Sequence, residues 1–414
     1  MAHTTFGALL LGSFMALPKA FKMQINSGWI KSKGAQHILK ILENAGHSAY
    51  FVGGCVRNSV LSIAVNDIDI STDATPEETI SLFDIDNFKV VQTGFSHGTI
   101  TVISAGIPYQ ITTMRTDQNT DGRHADVRFS DNITEDAKRR DFTINALYAN
   151  SFGEIIDPLG SLKDFNPLKI KFIGNASHRI KEDYLRILRF FRFHAQFSEL
   201  TMHYDPVALN AIKDHQSGLK VLSKERVWNE FQKILSTADP SRALLEMSRI
   251  GVLKKIWNDE NIHNIKNLIF IEKKLAIEPE PIRRLVAISK NSESISLNFS
   301  RKDARKFSLL KGLLENKHDL AELVYQFSRE IALSVLAIHT CQQGEKLKSS
   351  DVTKIEMAFL NPCPIKGEQI SKYVRGAAVG IKIKEAQRIW IKSNFTSNEA
   401  KILSAIGIKA KPDA

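Results

Sequence analysis

Two carboxylates, Asp67 and Asp69, alternate with isoleucines in the segment DIDIST at residues 67–72. On a strand, alternate side chains share a face, so both acids would project together while Ile68 and Ile70 point the other way. Two acids one strand step apart repel each other unless a cation sits between them, and an all-oxygen ligand pair suits a hard divalent ion such as Mg²⁺. Paired ions of this kind activate an attacking hydroxyl and neutralise a leaving pyrophosphate. An edge strand whose acids simply face water would look the same on these residues alone.

The context narrows the choice. Gly53 and Gly54 follow the apolar run YFV and lead into a short helical pattern carrying Arg57, ten positions before Asp67. Such a strand-to-helix turn brings backbone N–H groups close to phosphate oxygens, and Arg57 adds charge. A Gly-Gly pair means little by itself, but followed by D-x-D on the next strand it joins a constellation.

The elements that must hold these residues can be read from spacing. Residues 31–46 carry helical periodicity and close on Gly46, and a second helix starts at Thr75-Pro76-Glu77-Glu78, which offers a cap, a proline and early acids. The runs AYFVGG, DIDIST, KVVQTG, GTITVIS and IPYQITTM, separated by Gly, Pro and Asp turns, predict strands of a small mixed sheet. Residues 116–132, polar and glycine-containing, predict a mobile loop. From Ser177 onward nearly everything predicts helix, with EDYLRILRFFRFHAQF and ERVWNEFQKILS among the strongest patterns.

Composition sets the outer bounds. The chain has 414 residues, 56 Lys and Arg against 45 Asp and Glu, and a net charge of +11, which favours a polyanionic partner such as nucleic acid or an anionic membrane surface. Its three cysteines, Cys55, Cys341 and Cys363, are scattered and form no CxxC, so neither a disulfide framework nor a thiolate metal site is expected, and a cytoplasmic setting follows. No segment reaches membrane-spanning length. Residues 1–22 read as an added extension or tag, expected to be disordered, with Met23 as a natural start.

Four ordered motifs carry a resemblance: GGCVRN followed by DIDIST, RRDFTINAL at residues 139–147, EDYLRILRFFRF at 182–193, and KERVWNEFQKIL. Together they resemble the class II tRNA nucleotidyltransferase and bacterial poly(A) polymerase family. The resemblance implies an α+β architecture: a polymerase-β-like head with a small mixed sheet (residues 23–175), a helical neck with the nucleotide-selecting region (176–260), and a helical body and tail (261–414). It also implies untemplated addition of nucleotides to an RNA 3′ end, with CTP and ATP as substrates, two Mg²⁺ ions on Asp67 and Asp69, and the tRNA 3′ end and its acceptor and elbow region as partner. In the family, a loop placed like residues 116–132 accompanies the switch from C to A addition.

Base choice can be argued from chemistry. If residues 182–193 form one helix, Asp183 and Arg186 are i,i+3 neighbours and Glu182 and Arg186 are i,i+4 neighbours. Cytosine and adenine both present an amino donor beside a ring-nitrogen acceptor, which a carboxylate and a guanidinium satisfy, whereas uracil and guanine present a carbonyl and a ring N–H to the same groups. The resemblance gives Asp183 and Arg186 this role with Glu182 positioning them, and brings Arg189 and Arg192 to the nucleotide. In RRDFTINAL it places Arg140 at the incoming nucleotide, with Asp141 and Asn145 near the sugar or supporting the site. Asp141 also reads as the N-cap of a following helix.

Two positions depart from the family pattern. Asn58 stands where an Asp often follows GGxVR, and Gln110 stands where many relatives carry a Glu. Rival readings are a poly(A) polymerase, a non-catalytic RNA-binding relative, and an added metal phosphohydrolase activity, for which only pairs such as His318-Asp319 are present. The segment VVQTGFSHGTITV favours CCA addition over poly(A) synthesis, because polymerases of the group carry a GRRFRL-like strand there.

Overall fold

A computed structural model describes residues 23–85, 88–92, 94–118, 126–257, 261–289 and 297–408. The expectations for residues 1–22 and for the centre of the 116–132 loop therefore lie outside the described residues. The chain divides into two compact units, Met1–Asp183 with Leu200–Ala211, and Tyr184–Glu199 with Ile212–Ala414.

The first unit is built on a seven-stranded mixed sheet. Its strands are β1 (Ala49–Val52), β2 (Ile68–Thr72), β3 (Lys89–Val91), β4 (Thr99–Ser104), β5 (Ile107–Thr113), β8 (Tyr148–Ala149) and β9 (Ile155–Ile156), in the order β3-β4-β5-β2-β1-β8-β9. β6 (Arg115–Gln118) and β7 (Asp126–Phe129) form a separate antiparallel pair at the base of the expected loop. β2 pairs antiparallel with β1 and parallel with β5. One face of the sheet presents Phe51, Ile70, Ile100, Val102 and Ile111 to Ile38, Leu39 and Leu42 of helix α1 (Lys33–Asn44) and to Phe83 of α3 (Pro76–Ile85).

Both flanking helices end as their sequences dictate. Ser32 caps α1 through the Ala35 N–H, and Gly46, at φ 90°, lets the chain turn back so that its own N–H and that of His47 close the last turn. At α3, Thr75 Oγ1 accepts from the Glu78 N–H at 3.2 Å while Glu78 accepts from the Thr75 N–H at 2.8 Å, a reciprocal capping box.

The second unit is helical throughout its described residues. Helix α6 (Leu185–Gln196) buries Ile187, Leu188, Phe190, Phe191 and Phe193, and packs against α8 (Lys224–Leu235), which buries Trp228 and Phe231. Deeper in this unit lies an ion cluster: Glu272 accepts from Arg283 Nε at 2.8 Å and from Arg284 Nη2 at 2.7 Å, with all three residues at most 2% exposed. Arg284 also donates to the carbonyl of Leu235 at 2.7 Å, tying the end of α8 to the helix Pro281–Ile288. Among the described residues no helix is long and apolar enough to cross a membrane.

His194 of α6 is 4% exposed, and burial, helped by the charge of Arg242, pushes its imidazole down to about 3. The unfolded chain takes up that proton near the ordinary value of about 6.5. The contribution of His194 to stability is therefore complete above that pH and is lost as the pH falls from about 6.5 toward about 3, at up to about 1.4 kcal/mol per pH unit. Denaturant midpoints measured from pH 7 to pH 4 should fall accordingly, and the fall should be shallower in His194→Phe; equal slopes would show that other groups control acid stability.

Candidate active site

A cross-sheet row positions the site. Asp69 on β2 pairs with Val52 on β1 and with Gln110 on β5, and Val52 pairs in turn with Tyr148 on β8. Asp69, Val52 and Tyr148 thus lie side by side across three adjacent strands. Directly after Val52, Gly53 turns at φ 72° into helix α2 (Gly54–Val60), a conformation that side chains with a Cβ rarely adopt.

Asp67 lies just before β2 and is exposed; Asp69 is half-buried between Ile68 and Ile70, whose side chains enter the core. Burial raises the Asp69 carboxyl, the nearby charge of Asp67 raises it further, and Arg140 and Arg57 pull it back down. The structure thus brings two acids and two arginines from three separate stretches of sequence into one electrostatic neighbourhood.

Arg57 is buried and fully organised. Its Nη1 donates to Asn145 Oδ1 at 2.5 Å, and its Nε and Nη2 donate to Asn58 Oδ1 at 3.1 and 2.9 Å. Asn145 Nδ2 donates onward to Asp141 Oδ1 at 2.9 Å. Asn58 also donates to the Ala64 carbonyl at 3.0 Å, a bond that an aspartate at this position could not make.

Asp141 does not cap an α-helix. The chain after it stays extended because the Thr143 N–H bonds to the Lys171 carbonyl and Phe142 bridges to Phe172, leaving only a 3₁₀ turn at Thr143–Asn145. Asp141 instead accepts from the Phe142 N–H and from Asn145, and so supports Arg57 through Asn145.

Arg140 follows helix α4 (Ile133–Arg139) and is held by a residue that spacing alone did not single out. The fully buried Asp136 accepts from Arg140 Nη2 at 2.9 Å, from Arg139 Nε at 2.7 Å and from the Tyr148 hydroxyl at 2.6 Å. Arg140 Nε also donates to the Tyr148 oxygen at 3.1 Å. Despite burial, the two guanidinium groups keep Asp136 far below the usual carboxylate range, while burial keeps the Tyr148 phenol well above its own. Asp136 could have been found from its place three and four residues ahead of two arginines, although such pairs usually decorate a solvated helix face.

The segment 182–193 is not one helix. Helix α5 (Ala176–Glu182) stops at Asp183, which is extended at φ −154°, and α6 begins after Tyr184. Two contacts flank the break. Glu182 pairs with Arg179, whose guanidinium also reaches the carbonyls of Arg139 and Arg140. The Tyr184 ring lies so close to Gly218 that a Cβ there would stand 2.1 Å from Tyr184 Cε1. Glu182 and Asp183 therefore share no helix face with Arg186, and the i,i+3 and i,i+4 expectations do not hold.

On α6, Arg186, Arg189 and Arg192 are half-buried in a helix whose other side chains are mostly buried. Arg192 Nη1 is clasped by both carboxylate oxygens of Glu230 on α8 at 2.8 and 2.9 Å, and its guanidinium lies 4.6 Å from the centre of the Phe193 ring. Glu230 is a second residue that sequence reading passed over, although it lies within the quoted KERVWNEFQKIL motif.

The donor set at Asp67 and Asp69 fits a hard divalent cation. Both donors are carboxylates, and the nearest soft candidate, Cys55, is buried with its thiol pushed up to about 12. Among the described residues no group of three or more His, Cys, Asp or Glu could hold a metal, and Gln110 beside Asp69 offers only a neutral oxygen.

Comparison with known proteins agrees with this geometry. The family model described as "Poly A polymerase head domain" matches residues 49–171, and that described as "Probable RNA and SrmB- binding site of polymerase A" matches residues 202–258. The mitochondrial CCA tRNA nucleotidyltransferase 1 of Homo sapiens is 29% identical over 419 residues, covering 95% of each chain. The CCA-adding enzyme of Lactobacillus delbrueckii is 42% identical over 220 residues, covering 53% of this chain and 54% of that one. The crystal structure of the Bacillus stearothermophilus CCA-adding enzyme in complex with CTP superimposes with a TM-score of 0.67 at 23% identity, covering 91% of this chain and 96% of that one. The α+β head with a following helical body is thus a shared fold. With the acids, the glycine turn and both arginines assembled inside it, residues 49–171 match the poly(A) polymerase head domain, and similarity to a tRNA nucleotidyltransferase runs through nearly the whole length of the chain.

Proposed function

We propose that the protein is a CCA-adding tRNA nucleotidyltransferase: it adds C, C and A in turn to the 3′ end of tRNA from CTP and ATP, without a nucleic-acid template, and releases pyrophosphate. The observation that carries this reading is the meeting of Asp67 and Asp69 with Arg57 and Arg140 at the Gly53 turn, in a chain similar along its length to enzymes named for that reaction.

In this reading Arg57 and Arg140 hold the triphosphate, and Gly53 and Gly54 let it approach the backbone. Asp67 and Asp69 would hold two Mg²⁺ ions, which when bound supply activation of the attacking hydroxyl and charge neutralisation of the leaving pyrophosphate. Asp141 and Asn145 keep Arg57 in place. Asp183 accepts from the base amino group and Arg186 donates to the ring nitrogen, with Glu182, Arg189 and Arg192 supporting the nucleotide. The head is assigned to residues 23–175, the neck to 176–260, and a tRNA-binding body and tail to 261–414, where lysines and arginines of residues 366–392 would meet the acceptor and elbow region by charge.

The test is incubation with tRNAs ending before, within or after CCA, with Mg²⁺ and either single nucleotides or all four. The expected product stops at CCA, whereas a ladder of A residues would replace this reading with poly(A) synthesis and no addition would point to a non-catalytic RNA-binding relative. A second expected result concerns base choice: Asp183→Ala or Arg186→Ala should admit UTP or GTP, narrowing discrimination by roughly 10- to 100-fold, because each lost pairing is worth about 1 to 3 kcal/mol. Unchanged selectivity in both variants would remove these residues from the base-choosing role. Cytoplasmic residence belongs to the same proposal, and an organellar signal from a C-terminal fluorescent fusion would overturn that part.

A further inference from the structure

Arg140 is oriented more tightly than a surface arginine needs to be. Its Nε and Nη2 are taken up by Asp136 and Tyr148, and its main-chain carbonyl accepts from Arg179 Nη2 at 2.6 Å. The remaining nitrogen, Nη1, has no acceptor among the described residues and lies 3.5 Å from where a Cβ on Gly53 would stand. The guanidinium is thus fixed along one edge and open along the other, and the open edge faces the turn between β1 and α2. A planar, five-donor group held this way presents its free N–H pair in one direction without losing rotamer freedom on each binding event.

We propose that Asp136 and Tyr148 are positioning residues that aim Arg140 Nη1 at an anionic oxygen of the nucleotide triphosphate beside Gly53. This rests on the reading above, in which Arg140 holds the triphosphate. Asp136 sets the plane of the guanidinium through its Oδ2, and the Tyr148 hydroxyl fixes both partners by donating to Asp136 and accepting from Arg140. Tyr148 is itself fixed, because it belongs to β8 and pairs in the sheet with Val52, the residue before the turn. Frame and target are therefore built on neighbouring strands.

Tyr148→Phe tests this with little risk to the fold, because the ring stays in the core and only the hydroxyl is removed. Equilibrium binding of CTP, ATP and CMP is measured for the wild type, Tyr148→Phe, Arg140→Ala and the double variant, beside steady-state addition to tRNA and thermal unfolding. Tyr148→Phe is expected to weaken CTP and ATP by about 5- to 10-fold, to leave CMP binding within about twofold, to raise KM for both nucleotides in parallel, and to lower the melting temperature by less than about 5 °C. In the double variant the hydroxyl should cost nothing beyond the Arg140→Ala loss, since its effect passes through that side chain. Asp136→Asn should act in the same direction, and if it fails to fold the Tyr148→Phe result still decides.

Triphosphate binding equal to wild type in Tyr148→Phe, an equal loss for CMP, or multiplicative losses in the double variant would each overturn the frame. A wild type that binds CTP but adds nothing to tRNA would instead overturn the proposed function while leaving the frame to be judged by binding. A wild type that binds no triphosphate would overturn both.

Discussion

Replacing Asp69 with Asn is expected to lower the rate of nucleotide addition by about 10³-fold or more, and Asp67→Asn to do the same, with both variants folded. The magnitude follows from losing a charge in the proposed metal-holding pair, since cation stabilisation of the transition state is worth several kcal/mol and each 1.36 kcal/mol is a factor of ten in rate. Asparagine keeps the volume and one oxygen, so the loss would report charge and not shape. Asp69 is the more informative of the two. In the absence of a cation its charge is already opposed by burial and by Asp67, so Asp69→Asn should leave thermal stability unchanged or slightly raised while activity collapses. Quench-flow measurement of single-nucleotide addition, beside a melting curve, checks both halves. Either variant retaining addition within tenfold of wild type would remove the two acids from the metal-holding role.

The second large effect lies far from the chemistry. Glu272→Ala is expected to destabilise the helical unit by about 3 to 5 kcal/mol, because it leaves Arg283 and Arg284 buried without the carboxylate they share. Against a typical domain stability of about 5 to 15 kcal/mol this is a large fraction. Glu272→Gln should cost less, since an amide oxygen still accepts from one guanidinium. Urea unfolding followed by tryptophan fluorescence would show the shift, with Trp228 and Trp257 both buried in this unit. A loss below about 1 kcal/mol would mean that the carbonyls of Leu235, Ala238 and Glu278 suffice to satisfy both arginines.

How much of this could be read beforehand depends on whether a feature is local. The first five strands and helices α1 and α3 follow from alternation, periodicity and cap residues within a dozen positions, and all of them form. Asp67, Asp69, Gly53, Gly54 and Arg57 were legible because a turn followed by D-x-D is a short-range pattern. Asp136 was not, because an acid ahead of two basic residues on a helix is indistinguishable by spacing from a solvated ion pair; what makes it different is Tyr148, brought alongside by the sheet. The break at Asp183 was equally hidden. The residues around it favour helix, and the seat of Tyr184 on Gly218, a contact between residues 34 positions apart, leaves no mark in local spacing. Asp141 misled for a related reason: its local capping signal was overruled by the bridge between Phe142 and Phe172.

The row that runs from Gln110 through Asp69 and Val52 to Tyr148 has a consequence for how such a site can vary. Strands in a sheet are spaced about 4.8 Å apart by their backbone hydrogen bonds, so the acid and the tyrosine stand two such steps apart, roughly 10 Å, whatever side chains surround them. The sheet serves as a ruler marked in peptide units. Substitutions along the row can change what is displayed at each mark without moving the marks. A chain can thus exchange a carboxylate for the amide of Gln110 and still keep Asp69 and the tyrosine that holds Arg140 at a fixed separation.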